Sequence, residues 1–159
     1  MTDNNIKKNR GFTLLEVVAV LIIMGIVGAV IASRFVLNDH VDLIEQTEVI
    51  KAHLRYAQTR AMNADTVWYI KFTDNTYSLY KHDDLNQKYL PGEDRTTKTL
   101  PDGISVGYGS SDIVSFDSWG KPCTDDAGLT LQTTDRTLTI SCGLDSRSIE
   151  ITRNTGFIK

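Results

Sequence analysis

Apolar and polar positions divide the chain into three regimes. Residues 17–32, VVAVLIIMGIVGAVIA, are sixteen consecutive uncharged residues, all apolar or small. The run extends back to Phe12 with only Thr13 and Glu16 interrupting it. At 1.5 Å per residue, a 21-residue helix would reach about 31 Å, the thickness of bilayer hydrocarbon. Further on the apolar positions thin to a helical stripe. Leu43, Thr47, Ile50, Leu54, Ala57 and Ala61 recur at three- and four-residue spacing, with Glu45, Glu48, Lys51, Arg55 and Arg60 between them. The pattern predicts one helix from about Phe12 to Met62, ~77 Å long if continuous. A break near Asp42 is the alternative, because Asp42 and Glu45 fit a capping box.

After Met62 the period changes to two. Trp68, Ile70 and Phe72 alternate with Val67, Tyr69 and Lys71, and Asp74-Asn75 supplies a turn before Thr76–Lys81. Residues 82–103 are polar, with Pro91-Gly92 and Pro101-Asp102-Gly103, and read as a long loop. Further short strands are predicted at Ile104–Tyr108, Ile113–Phe116, Leu129–Thr133, Leu138–Cys142, Ile149–Thr152 and Gly156–Ile158. Helix first and strands after predicts an α+β fold. A long N-terminal helix, transmembrane in its first half and amphipathic in its second, packs on an antiparallel β-sheet head. The segments expected are 12–33, 34–62 and a head over 63–159, preceded by residues 1–11.

Charge adds orientation. Residues 1–11 hold Lys7, Lys8 and Arg10 against Asp3, a net of +2; the whole chain is −3, leaving −5 on residues 12–159. The positive-inside bias places the N-terminus in the cytoplasm and the head outside. An acidic body argues against non-specific nucleic-acid binding as the main role.

Three readings of the apolar run compete: a plain single-pass anchor, a removable secretory signal cut before Ser33, and a retained helix in which Glu16 has a task. A carboxylate in hydrocarbon costs ~2.5–3.5 kcal/mol on insertion scales, so it usually marks a function with a named partner. Cleavage between Gly11 and Phe12 would create that partner, because the new α-amino group of Phe12 lies one turn above Glu16. A neighbouring subunit displaced along the axis could bring its own amine to this carboxylate and so fix register. A snorkelling carboxylate is the bland reading.

The residues that carry this argument, Lys7-Lys8-Asn9-Arg10-Gly11-Phe12-Thr13-Leu14-Leu15-Glu16 and the apolar run after them, resemble the leader and signature of the type IV prepilins and pseudopilins. The resemblance implies that 1–11 is a leader, removed after Gly11 by a membrane-embedded prepilin peptidase that also methylates the amine of Phe12. It implies as partners other pilin or pseudopilin subunits, an inner-membrane assembly platform and the lipid bilayer. Its role for Phe12 and Glu16 is assembly. Many relatives carry proline where this chain has Ser33, so no ring clash demands a kink there. Phe116-Asp117-Ser118-Trp119-Gly120-Lys121-Pro122 and the final Ile149–Ile158 stretch resemble the GspH/FimT/MshC-type minor pilins more than the major pseudopilins.

Some FimT-type pilins bind DNA through basic residues near the C-terminus. Residues 134–159 here contain Arg136, Arg147, Arg153 and Lys159 against Asp135, Asp145 and Glu150, a net of +1, and Phe157-Ile158-Lys159 stands where a basic pair would be expected after Thr155-Gly156. DNA is therefore a secondary expectation. Cys123 and Cys142 belong to no C-x-x-C pair and no histidine cluster accompanies them, which argues against zinc; in an exported head a disulfide is expected, and two buried thiols are the alternative. No metal or cofactor is expected, and no enzymatic motif is present. Ser118–Lys121 matches the bare S-x-x-K pattern but lies in a predicted turn. His40, His53 and His82 read as surface or helix-face residues, and Asp83-Asp84 and Asp125-Asp126 as solvated acids.

Overall fold

The structure is a computed structural model that describes residues 12–109 and 111–159, with backbone alone for 32–40. The chain divides into two units at Asn38/Asp39. The helix α1 (Leu14–Ala64) contributes to both. In the first unit the helical residues 14–31 bury nothing. Leu14–Ile31 has mean hydropathy 2.9 and is long and apolar enough to cross a membrane. Gly11, the expected cleavage residue, lies outside the described residues.

In the second unit α1 presents the stripe that its periodicity predicts. Leu43, Thr47, Ile50, Leu54, Ala57 and Ala61 are all buried. Thr47 satisfies its hydroxyl by donating to the Leu43 carbonyl at 2.7 Å. The helix runs through Asp42 without a break. It ends at Ala64, and Asp65 takes the left-handed conformation (φ 48°) usual just past a helix terminus.

Among the described residues nine strands follow: β1 (Trp68–Thr73), β2 (Thr76–Lys81), β3 (Asp84–Lys88), β4 (Thr97–Thr99), β5 (Ile104–Gly107), β6 (Ile113–Phe116), β7 (Pro122–Cys123), β8 (Arg136–Cys142) and β9 (Asp145–Ile151). They form the expected antiparallel β head, divided into two sheets. One has the order β3-β2-β1-β6-β7, with β4 also on β2; the other is β5-β8-β9. Side chains from α1 and both sheets meet in one core, including Leu54, Ile70, Phe72, Phe116, Leu138 and Ile149.

Three expectations change. Residues 82–103 are not one loop, because β3 and β4 both pair with β2. Their sequences, DLNQK and TKT, carry no apolar alternation; an edge strand that stays wet on its faces needs none. Leu129–Thr133 is not a strand. A single bridge joins Cys123 to Leu131, and Leu129 is exposed. Gly156–Ile158 likewise contributes only the bridge Ile151–Ile158. β9 starts earlier than expected, because a tight turn at Gly143-Leu144 brings Cys142 opposite Asp145. Gly143 has φ 60°, which suits that turn.

Candidate functional site

The helix start is built on Thr13. Its Oγ1 accepts the Glu16 N–H at 3.3 Å, and its carbonyl accepts from Glu16 (3.1 Å) and Val17 (3.3 Å). Thr13 is therefore the N-cap and Glu16 the third helical residue, a T-x-x-E capping-box pattern that the sequence carries in plain view. The prediction from charge alone overlooked Thr13. The cap places the Glu16 carboxylate in the first turn, where the helix dipole favours an anion. Phe12 immediately precedes the cap and is 84% exposed. Phe12, Glu16, Val17, Val20 and Leu21 line a hollow of about 300 Å³ on this segment. A carboxylate thus stands on an otherwise apolar, uncovered surface, one turn from the residue whose amine cleavage would free.

In the head, the motif residues 116–122 and 152–158 come together at one end of the helical stripe. Asp117 Oδ1 accepts the N–H groups of Trp119 (2.9 Å) and Lys121 (2.7 Å), which closes the turn and leaves Trp119 80% exposed. Ser118–Lys121 is thus a turn. Gln58 of α1 donates through Nε2 to the carbonyls of Gly120 (2.8 Å), Gly156 (3.1 Å) and Thr155 (3.2 Å). One amide ties the helix to both motifs.

The four basic residues sit in different surroundings. Arg136 is buried, and its guanidinium donates to the carbonyls of Ile113, Tyr108 (3.1 Å) and Ser111 (2.6 Å). Arg153 Nη1 donates to the Thr133 carbonyl at 2.8 Å, while its backbone N–H reaches Asp135 Oδ1 at 2.9 Å. Lys159 pairs with Glu150 at 3.3 Å. Arg147 lies exposed on β9. Arg136 is withdrawn from the outer surface and uses three of its five N–H groups on the protein's own backbone, which weakens its part in any electrostatic footprint for DNA.

The expected disulfide is not formed. Cys123 lies in β7 of the larger sheet and Cys142 at the end of β8 in the smaller one, and neither is bridged. Burial, with Asp117 and Asp125 nearby, pushes the Cys123 thiol up to about 11, so it is an inert, protonated core group.

His53 also departs from expectation. It is buried, with Nδ1 2.8 Å from the Tyr77 hydroxyl and Nε2 3.1 Å from the Pro91 carbonyl. A carbonyl can only accept, so Nε2 carries the proton and Nδ1 accepts from Tyr77. Burial holds this imidazole below its usual value.

Residues 6–32 match the family model of the prokaryotic N-terminal methylation motif. No curated protein sequence matches the chain. Among solved structures, the fold is similar to the type IV minor pilin FimU of Pseudomonas aeruginosa (TM-score 0.57, 17% identity, 77% of this chain and 90% of that one). It is also similar to the minor pseudopilin EpsH from the Type 2 Secretion System of Vibrio cholerae (TM-score 0.55, 12% identity, 74% and 94% covered). A prepilin-type N-terminal motif and a minor-pilin-like α+β fold therefore occur in one chain.

Proposed function

We propose that this chain is a structural, non-enzymatic subunit, a minor pilin or pseudopilin. It is processed by prepilin peptidase and assembled into, or priming, a type IV pilus or a type II secretion pseudopilus. It enters the inner membrane with its N-terminus in the cytoplasm and its head in the periplasm, is cut between Gly11 and Phe12, and is methylated on the Phe12 amine. It then leaves the bilayer for a filament of like subunits in the cell envelope.

The observation that carries this reading is the Thr13-capped, uncovered apolar helix bearing Glu16 in its first turn. Such a helix needs a hydrophobic environment throughout, which a bilayer and then a bundle of neighbouring helices supply in turn. A neighbour's Phe12 amine is the natural counter-ion for Glu16, and one fixed pair per subunit sets the axial step. Delivery of the head by signal cleavage before Ser33 would discard Glu16 altogether.

The test is the mature chain recovered from membranes. Methylation adds about 14 Da to a chain beginning at Phe12; a chain beginning at Ser33 overturns the reading. Glu16→Gln then separates two roles. Glutamine also suits the third position of a capping box but carries no charge. Processing is expected to continue and incorporation to fall; normal assembly of this variant would leave Glu16 with capping alone.

A further inference from the structure

Arg136 poses a problem that the assembly role does not address. It is 8% exposed, and among the described residues no carboxylate forms an ion pair with it; Asp112 acts on it only at longer range. Its three carbonyl partners take both Nη2 protons and one Nη1 proton. A guanidinium has five N–H groups, so Nε–H and the second Nη1–H are left over. Burying a cation against neutral acceptors only is costly, and an anion beside it would offset much of that cost.

A cavity lies beside it. Arg136 lines a hollow of about 430 Å³, together with Thr124, Gln132, Thr134, Asp135 and Thr137. The volume falls within the range of small-molecule sites, roughly 300–1,000 Å³. The Gln132, Thr134 and Thr137 side chains make no hydrogen bond among the described residues, so their groups are available. A second hollow of about 490 Å³ shares Thr134 and Asp135 and adds Arg153 and Asn154. One buried cation, several groups that both donate and accept, and one carboxylate acceptor suit a ligand that carries a carboxylate and several hydroxyls.

We propose that this cavity binds an acidic saccharide residue of the hexuronate type, its carboxylate on Arg136 and its hydroxyls on Gln132, Thr134, Thr137 and Asp135. Arg136 meets the carboxylate through its charge and one of the N–H groups that the backbone leaves unused, because Nε–H and the second Nη1–H lie on opposite edges of the guanidinium. Asp135 accepts from sugar hydroxyls and repels a second anionic group, which disfavours a nucleic-acid strand. The adjoining hollow gives a neighbouring sugar unit room beside Arg153.

The experiment is a titration of the full chain in zwitterionic micelles, free of sugar-headed detergent, followed by calorimetry and ligand-observed NMR. The probes are glucuronate, glucose, inorganic phosphate and a short DNA duplex. Saturable glucuronate binding is expected, at least tenfold tighter than glucose. Gln132→Ala and Thr134→Val should each weaken it about fivefold, the equivalent of one hydrogen bond. Arg136→Lys keeps three donors for the three carbonyls but loses the surplus ones. It should fold and bind glucuronate no better than glucose. If that variant does not fold, the Gln132 and Thr134 variants still decide the matter. Absence of saturable glucuronate binding, equal affinity for glucose or phosphate, indifference to both pocket variants, or tighter binding of the duplex at these residues each overturns the proposal.

Discussion

The backbone of Gly120 lies so close to Gly156 that a Cβ at position 156 would stand 2.1 Å from the Gly120 carbonyl oxygen. Both residues also have left-handed backbone, φ +76° and +66°. This contact explains why Trp119-Gly120 and Thr155-Gly156, far apart in the chain, behave as one motif. Two backbones touch, and Gln58 bonds both.

Gly156→Ala should therefore cost about 3 kcal/mol or more, combining a left-handed alanine with a backbone clash. Gly92→Ala is the control. Its φ is +80° but its Cβ would meet nothing within 4 Å, so only the conformational cost of about 1 kcal/mol applies. Urea denaturation of the full chain in micelles measures both; equal losses would mean that the contact is not tight.

Gln58→Ala removes the donor to three carbonyls and should destabilise by about 1–2 kcal/mol. Gln58→Glu should be worse despite its closer shape, because an ionised carboxylate brings acceptors against acceptors. Thermal melts at neutral pH rank the two variants.

His53 makes the head acid-sensitive. Its folded pKa lies below the usual value of 6.5, first because of burial, while the Pro91 carbonyl and Glu93 pull it partly back. The unfolded chain then binds the proton first. Stability is complete above about 6.5 and falls as pH drops from there towards the folded value. Denaturation at about pH 7.5 and about pH 5 should show this loss, and His53→Gln should flatten it. An unchanged slope in the variant would assign the loss to other groups.

Reductant should leave the melting temperature unchanged, because Cys123 and Cys142 are not joined. Thiol titration of the denatured, unreduced chain should count two thiols. Cys123→Ala should cost about 1–2 kcal/mol through lost packing and the loss of the weak thiol contact to the Lys121 carbonyl at 3.7 Å.

Patterns that repeat within a few residues were legible in advance. The helical stripe from Leu43 to Ala61, the β1–β2 hairpin around Asp74-Asn75 and the strand Ile113–Phe116 follow from periodicity and turn chemistry, which act locally. At the helix start the sequence held more than charge revealed, since Thr13 and Glu16 spell a capping box.

The amino-acid order alone thus specifies a capped apolar helix, an amphipathic continuation and a run of short strands, because burial periodicity and capping depend on neighbours along the chain. Which distant groups meet is another matter. That Arg136 turns inward onto three carbonyls, that the two cysteines belong to different sheets, and that polar β3 and β4 complete β2 depends on strand pairing across long loops. Backbone hydrogen bonds are the same for every residue type, so their partners are chosen by the packing of the whole head and leave no local signature.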